Sequence, residues 1–345
     1  MRALTISAHG GTDKLEFRTD VAEPEVKAGF VRVRIKAAAL NQLDIFALGG
    51  LPGVNINPPW VMGADGAGVI DRVGQGVANV FPGDSVIINP GISDRTCEFC
   101  RRGEQSECVH FRLLGEHLPG TLAEYVVVPA QNVGTIPADT PMEIAAAYSL
   151  ATLTAWRMIH TRAKVTSDDE VLIWGIGGGV AQAAMRICMQ IGAKVWVTSG
   201  SDEKLEKARK LGVGEVLNHR TMNVGKEIRA RTNKRGVSVV VDSVGHDTWS
   251  SSLAALGRAG RLVTCGGTSG PIVETDVRRL FWNQWTIMGS TMGNDAEFAE
   301  IVSEFNQGRL QPIVDSVFDL ADGRSAFERM TAGEQFGKIV VRVSE

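Results

Sequence analysis

Val171-Leu172-Ile173-Trp174 runs directly into Gly175-Ile176-Gly177-Gly178-Gly179-Val180-Ala181, and helical texture follows through Met189. A β-rich run, a glycine turn and a helix start in that order admit few structures. The glycines let the backbone approach another group closely, and the first N–H groups of the helix, with its dipole, favour negative charge. Such a unit suits the pyrophosphate of a dinucleotide, held at Gly175, Gly177, Gly178, Gly179 and Val180. Val180 stands where a third glycine of the simple pattern would fall, and Ala181 can make the close helix–strand contact instead.

This unit opens a series. β-rich runs at 171–174, 194–198, 216–217, 238–242, 261–265 and 285–288 alternate with helical ones, for example 202–211 ended by Gly212. Alternation of this kind gives a parallel sheet covered by helices on both faces. The chain before it differs. Residues 31–36 alternate apolar and charged, and short runs at 66–73, 84–89 and 121–128 are separated by glycine turns, which predicts a barrel-like β domain. Thr140-Pro141-Met142-Glu143 reads as a capping box with Thr140 as N-cap, opening one long apolar helix to about His160. A helix at 295–307 and strands at 314–318 and 338–343 follow the sixth run, and this tail can rejoin the β domain. The expected fold class is α/β, with a β domain of residues 1–147 plus 294–345 and a doubly wound parallel-sheet domain of residues 148–293.

Charge narrows the partners. Thirty-six Lys and Arg against 39 Asp and Glu leave a net charge of -3, which argues against nucleic acid and anionic membranes. No apolar run is long enough for a bilayer span, and the first residues lack the apolar core of a secretory signal. Three of five cysteines crowd into Asp94-x2-Cys97-x2-Cys100-x7-Cys108, which reads as metal binding in a reducing compartment, so a cytoplasmic protein is expected. Asp94, Cys97, Cys100 and Cys108 are the ligands expected for one structural zinc, in a lobe near 94–108. Carboxylate is the harder donor, so a lobe without metal, or one completed by His110 or water, is the alternative.

The second β-rich run ends in Val197-Thr198-Ser199-Gly200-Ser201. An NAD site wants an acid there for the ribose 2′-OH, whereas Asp202 and Glu203 come later, in the first turn of the next helix. Ser199 with Lys204 suits a 2′-phosphate and predicts NADP(H).

Over essentially its whole length the chain resembles the medium-chain dehydrogenase/reductase family. The resemblance lies in the glycine loop, Pro59-Trp60-Val61-Met62-Gly63-Ala64-Asp65-Gly66-Ala67-Gly68, residues 120–128, Leu153-Thr154-Ala155-Trp156 and Gly337-Lys338-Ile339-Val340. It implies a GroES-like β domain, resumed at the C-terminus, and a Rossmann domain. In the zinc alcohol dehydrogenases of this family a catalytic zinc is held by a Cys, a His in Gly-His-Glu, and a further Cys or acid. Those places read Asn41, Ala64-Asp65 and Leu150 here, and the proton-relay positions read Leu43 and Phe46. The zinc-free quinone oxidoreductase and enoyl-reductase branch lacks the same ligands, and residues 241–249 and 266–270 are similar to it.

The resemblance to that branch implies hydride transfer from NADPH to a small carbonyl or quinone substrate, with Asn41 as hydrogen-bond donor to the developing oxyanion. It implies Thr154, Cys265 and Gly266 near the nicotinamide, Ser199, Lys204 and His219 around the 2′-phosphate, and Lys338 among the cofactor residues. His117, in Gly115-Glu116-His117, is the one histidine nominated as proton donor. An alcohol or aldehyde dehydrogenase with other ligands, and an NADPH-binding protein with vestigial turnover, are the alternatives. In the family that the chain resembles, the last Rossmann strand often pairs across a two-fold axis; here it reads Trp285-Thr286-Ile287-Met288, apolar with no proline or charge to protect an edge, so a homodimer or homotetramer is expected.

Overall fold

The computed structural model describes residues 1–344 and divides into two units, Met1–Leu153 with Gly293–Glu345, and Thr154–Met292. In the second unit, strands Glu170–Ile173, Lys194–Ser199, Glu215–Asn218, Val237–Asp242, Leu256–Thr264 and Thr286–Gly289 form one sheet. Counted along the chain, they lie in the order third, second, first, fourth, fifth, sixth, all parallel. Strand order reverses between the first and fourth, and ligands of such sheets bind outside the carboxyl ends of the strands at that point. Leu172, Trp196, Leu217, Val240 and Leu262 pack with Val224, Ile228 and Leu253 from the covering helices. Strands buried on both faces read as apolar runs, which is why they were legible.

In the first unit, strand Phe30–Ala39 is the hub. It pairs antiparallel with Asp65–Val73, Tyr125–Pro129 and Lys338–Arg342, and Val314–Asp319 runs parallel to the last of these. The C-terminal strand therefore brings Lys338 to the sheet that carries Asp65. Val31, Val33 and Ile35 point into the core. Arg32, expected on the exposed face, is buried because Asp71 and Glu23 neutralise it and the Tyr125 ring stacks under its guanidinium.

The single helix expected from Pro141 to His160 is three pieces: Met142–Ala146, Ser149–Trp156 and a π-helical stretch Arg157–Arg162. Pro141, not Thr140, is the N-cap, and it makes no side-chain capping bond. The break at Ala147-Tyr148 has tertiary causes. Tyr148 is fully buried and donates its hydroxyl to Ile301 O at 2.8 Å, while the restarting turn donates Leu150 N to Asp65 Oδ1 at 2.8 Å. No helix among the described residues is long and apolar enough to cross a membrane.

Candidate functional site

The residues at the three vacant ligand positions fall together in the first unit, around a group that the sequence did not single out for this place. Asn41 precedes the helix Gln42–Gly49, and Asp65 opens the strand Asp65–Val73. Gly63, Gly115 and Gly120 fix the approach to that strand by stacking backbone on backbone. A Cβ at Gly120 would lie 2.2 Å from Gly63 O, and one at Gly115 would lie 2.7 Å from it. Lys338 Nζ is 2.5 Å from Asn41 Oδ1 and 2.9 Å from Asp65 Oδ2, and Asn41 Nδ2 donates to the same carboxylate oxygen at 2.9 Å. Exposures are 4% for Lys338, 7% for Asn41 and 0% for Asp65. Asp65 thus accepts from an ammonium, an amide and the Leu150 N–H, which is how a buried carboxylate becomes tolerable.

Asp44 completes the cluster by accepting Asn41 N at 2.7 Å. Burial pushes its carboxyl up to about 7, against the lowering effects of that bond and of Lys338. Ala64 and Leu150 carry no donor for a metal, and the one carboxylate at these positions, Asp65, is paired with the Lys338 ammonium. A catalytic zinc, as the family's metal enzymes hold it, does not fit this donor set.

His117 belongs to the same unit. It is exposed, accepts Leu113 N on Nδ1 at 3.3 Å and has Nε2 3.7 Å from Glu116, whose carboxyl burial pushes up. Lys338, expected among the cofactor residues, also belongs to this unit, with its ammonium engaged by Asn41 and Asp65.

The cysteine lobe brings Asp94, Cys97, Cys100 and Cys108 together, with one donor atom of each within 4.8 Å of the others. Cys97 Sγ and Cys100 Sγ are 3.5 Å apart, close to the roughly 3.8 Å that two thiolates adopt around a tetrahedral zinc. Backbone N–H groups of Asp94 and His110 point at Cys108 Sγ from 3.3 and 3.4 Å. His110 sits outside the ring of donors. Its Nδ1 is 2.7 Å from Asp94 Oδ2, and with the N–H groups of Cys97 and Thr96 it holds the Asp94 carboxyl well below the usual range. Arg95 pairs with Asp295 at 2.5 Å and anchors the lobe to the start of the helix Asp295–Asn306.

In the second unit, Gly178 caps the helix Gly179–Ile191, and Gly175 turns the chain at a φ of +70° with nothing within 4 Å of where a Cβ would stand. The turn at Gly175 thus has open space at its Cβ position and leads into a thirteen-residue helix, whose N-terminus suits a dinucleotide phosphate. Ser199 ends the second strand, and Cys265 and Gly266 follow the fifth. Burial, with Asp242 near, pushes the Cys265 thiol up to about 12. Thr154 opens this unit with its hydroxyl 3.6 Å from Met292 Sδ.

Asp202, the first acid after the second strand, is turned onto Asn218 Nδ2 at 2.7 Å, and Ser201 caps the helix by accepting Lys204 N at 3.4 Å. His219 N donates to Ser199 O at 3.1 Å, which lays the end of the third strand beside Gly200. A Cβ on Gly200 would meet Arg220 Nε at 2.7 Å and His219 Nε2 at 3.1 Å. Arg220 was missed from sequence. Its guanidinium makes no hydrogen bond among the described residues, and the available signal was a cation next to His219 at a strand end.

With this geometry in place, two family models match. A zinc-binding dehydrogenase model covers residues 179–307 and an alcohol dehydrogenase GroES-like domain covers residues 27–138. The chain is 38% identical to an NAD-dependent alcohol dehydrogenase of known crystal structure, each covered completely, with a TM-score of 0.95.

The chain belongs to the medium-chain dehydrogenase/reductase family.

It is an oxidoreductase of that family, with a GroES-like and a Rossmann unit. Among curated relatives, a zinc-type alcohol dehydrogenase-like protein of Schizosaccharomyces pombe is 29% identical over 96% of both chains. The quinone oxidoreductase of Homo sapiens is 26% identical over 99% of this chain and 97% of its own.

Proposed function

We propose that the chain reduces a quinone or an α,β-unsaturated carbonyl with NADPH and without a catalytic metal. The observation that carries the reading is the make-up of the buried cluster. Asn41, Ala64 and Leu150 offer neither thiolate nor imidazole, and the Asp65 carboxylate beside them is already engaged by the Lys338 ammonium. Oxidising a plain alcohol asks for a group that acidifies the hydroxyl and a path for its proton. A conjugated acceptor asks for less, because the β-carbon already carries positive character and the charge that arrives is spread onto the oxygen.

When bound, the reduced nicotinamide supplies the hydride. Asn41 donates a hydrogen from Nδ2 to the oxygen that gains charge. The α-carbon takes its proton from water or from His117.

Ser199, Lys204 and His219, with Arg220, favour NADPH, although the 38% relative is named for NAD. Asp94, Cys97, Cys100 and Cys108 are proposed to hold one structural zinc. Uncrosslinked cysteines suit the cytoplasm. The strand Thr286–Gly289 is a sheet edge, and Val277, Phe281 and Trp282 beside it in sequence are exposed, Trp282 at 68%, which supports a homodimer or homotetramer.

The alcohol dehydrogenase name of that same relative favours a second reading, alcohol oxidation through other ligands. NADPH consumption with enones, enals and quinones, set beside NADP reduction with primary alcohols, separates the two. Turnover of any conjugated acceptor supports the proposal, and turnover confined to alcohols refutes it.

A further inference from the structure

Asn41 sits between two groups of opposite hydrogen-bonding character. An ammonium only donates and a carboxylate only accepts. The amide therefore has one way round, with Oδ1 toward Lys338 at 2.5 Å and Nδ2 toward Asp65 at 2.9 Å. Turning it over would set a carbonyl oxygen against a carboxylate and an NH2 group against an ammonium. One Nδ2 hydrogen is spent on Asp65, and the other makes a long, weak bond to Ala39 O at 3.4 Å. That weak bond is the one a substrate oxygen would displace.

The partners come from three distant parts of the chain: the end of the hub strand, the strand after Gly63 and the C-terminal strand. A buried ion pair is a poor way to gain stability, since desolvation offsets much of the attraction, but it is an effective way to enforce a single geometry.

We infer that Lys338 and Asp65 are positioning residues for Asn41: they fix the direction of its second, weakly bonded N–H and thereby the place where the substrate oxygen is received. This rests on the reading of Asn41 as the donor to that oxygen. It assigns Lys338 to substrate polarisation through Asn41, not to the cofactor.

A double-mutant cycle on the full-length enzyme tests it, run with NADPH and whichever acceptor is turned over fastest. Lys338→Met should lower kcat by about tenfold to a hundredfold, within the range for a lost oxyanion donor. The acceptor KM and the NADPH Kd, read from nicotinamide fluorescence, should move less than about threefold. Combined with Asn41→Ala, it should cost no more than Asn41→Ala alone, because one residue acts through the other.

Additive losses overturn the inference, because Lys338 then acts on its own. A tenfold or greater rise in NADPH Kd overturns it by making Lys338 a cofactor ligand. Unchanged kcat overturns it outright. If Lys338→Met does not fold, the pair Asp65→Asn with Lys338→Met strands no charge, and the same cycle is run on that background. The acceptor panel judges the proposed reaction separately: if only alcohols react, the cycle is read on the alcohol, and non-additivity there still supports the positioning role.

Discussion

Asp44→Asn isolates one buried carboxyl whose ionisation the fold resists. Asp44 has its carboxylate oxygen on Asn41 N at 2.7 Å, with Asp65 and Lys338 as the charged groups around it. Its ordinary value of 3.8 is raised to about 7 by burial. A raised acid holds its proton in the folded state after the unfolded chain has released it. The stability this gives is full below the unfolded value and is lost as pH rises through the folded one.

Between about pH 5.5 and pH 8.5 the differential proton binding integrates to about 1.5 pH units, so the native protein should lose about 2 kcal/mol from this group alone. Asparagine keeps an oxygen to accept Asn41 N and has no proton to lose. Urea unfolding of both proteins, followed by circular dichroism at several pH values, reads the difference and cancels the other titrating groups. The variant should gain about 2 kcal/mol on the wild type across that window. Parallel pH profiles would refute the account of a buried, protonated Asp44.

The remaining predictions concern cofactor, metal and assembly. NADPH should show a lower KM than NADH, and Lys204→Ala and Arg220→Ala should each narrow the preference, by about tenfold for the loss of one charge-assisted phosphate contact; equal use of both by the unmodified enzyme would contradict this. Elemental analysis after metal-replete purification should find one zinc per chain. Two would contradict the reading of the Lys338 cluster, and none would contradict the reading of the lobe. Light scattering at micromolar concentration should give two or four times the 37.0 kDa of one chain, and a monomer would contradict the proposed edge pairing.

The parts of this chain that were legible in its sequence are those whose causes are local. The strand–glycine–helix unit at Gly175 and the first five strands of the parallel sheet are written in consecutive residues, because strands covered on both faces read as apolar runs and the turn at Gly175 has a positive φ that favours glycine. The cysteine lobe was legible because thiolate spacing is itself the signal. The helix break at Tyr148 was not, since its causes are Ile301 and Asp65, well over a hundred and some eighty residues away.

The Lys338 cluster was half legible. Missing ligands at Asn41, Ala64 and Leu150 could be read along the chain. The ammonium bonded to Asn41 comes from 297 residues away, and Lys338 beside Gly337 reads equally well as a cofactor residue. Arg220 was hidden for a related reason. Its place beside Gly200 depends on the parallel pairing of Ser199 with Asn218, which only the sheet register sets.

The central claim is hydride delivery to a conjugated carbon by a site that polarises oxygen with Asn41 and no metal. The most direct measurement is the reduction of an enone by the chelator-treated enzyme with NADPH deuterated at the transferring position, and the product read by NMR. The account predicts deuterium on the β-carbon, with a rate unaffected by the chelator. Deuterium on the carbonyl carbon, or alcohol oxidation with no transfer to any enone or quinone, would contradict it.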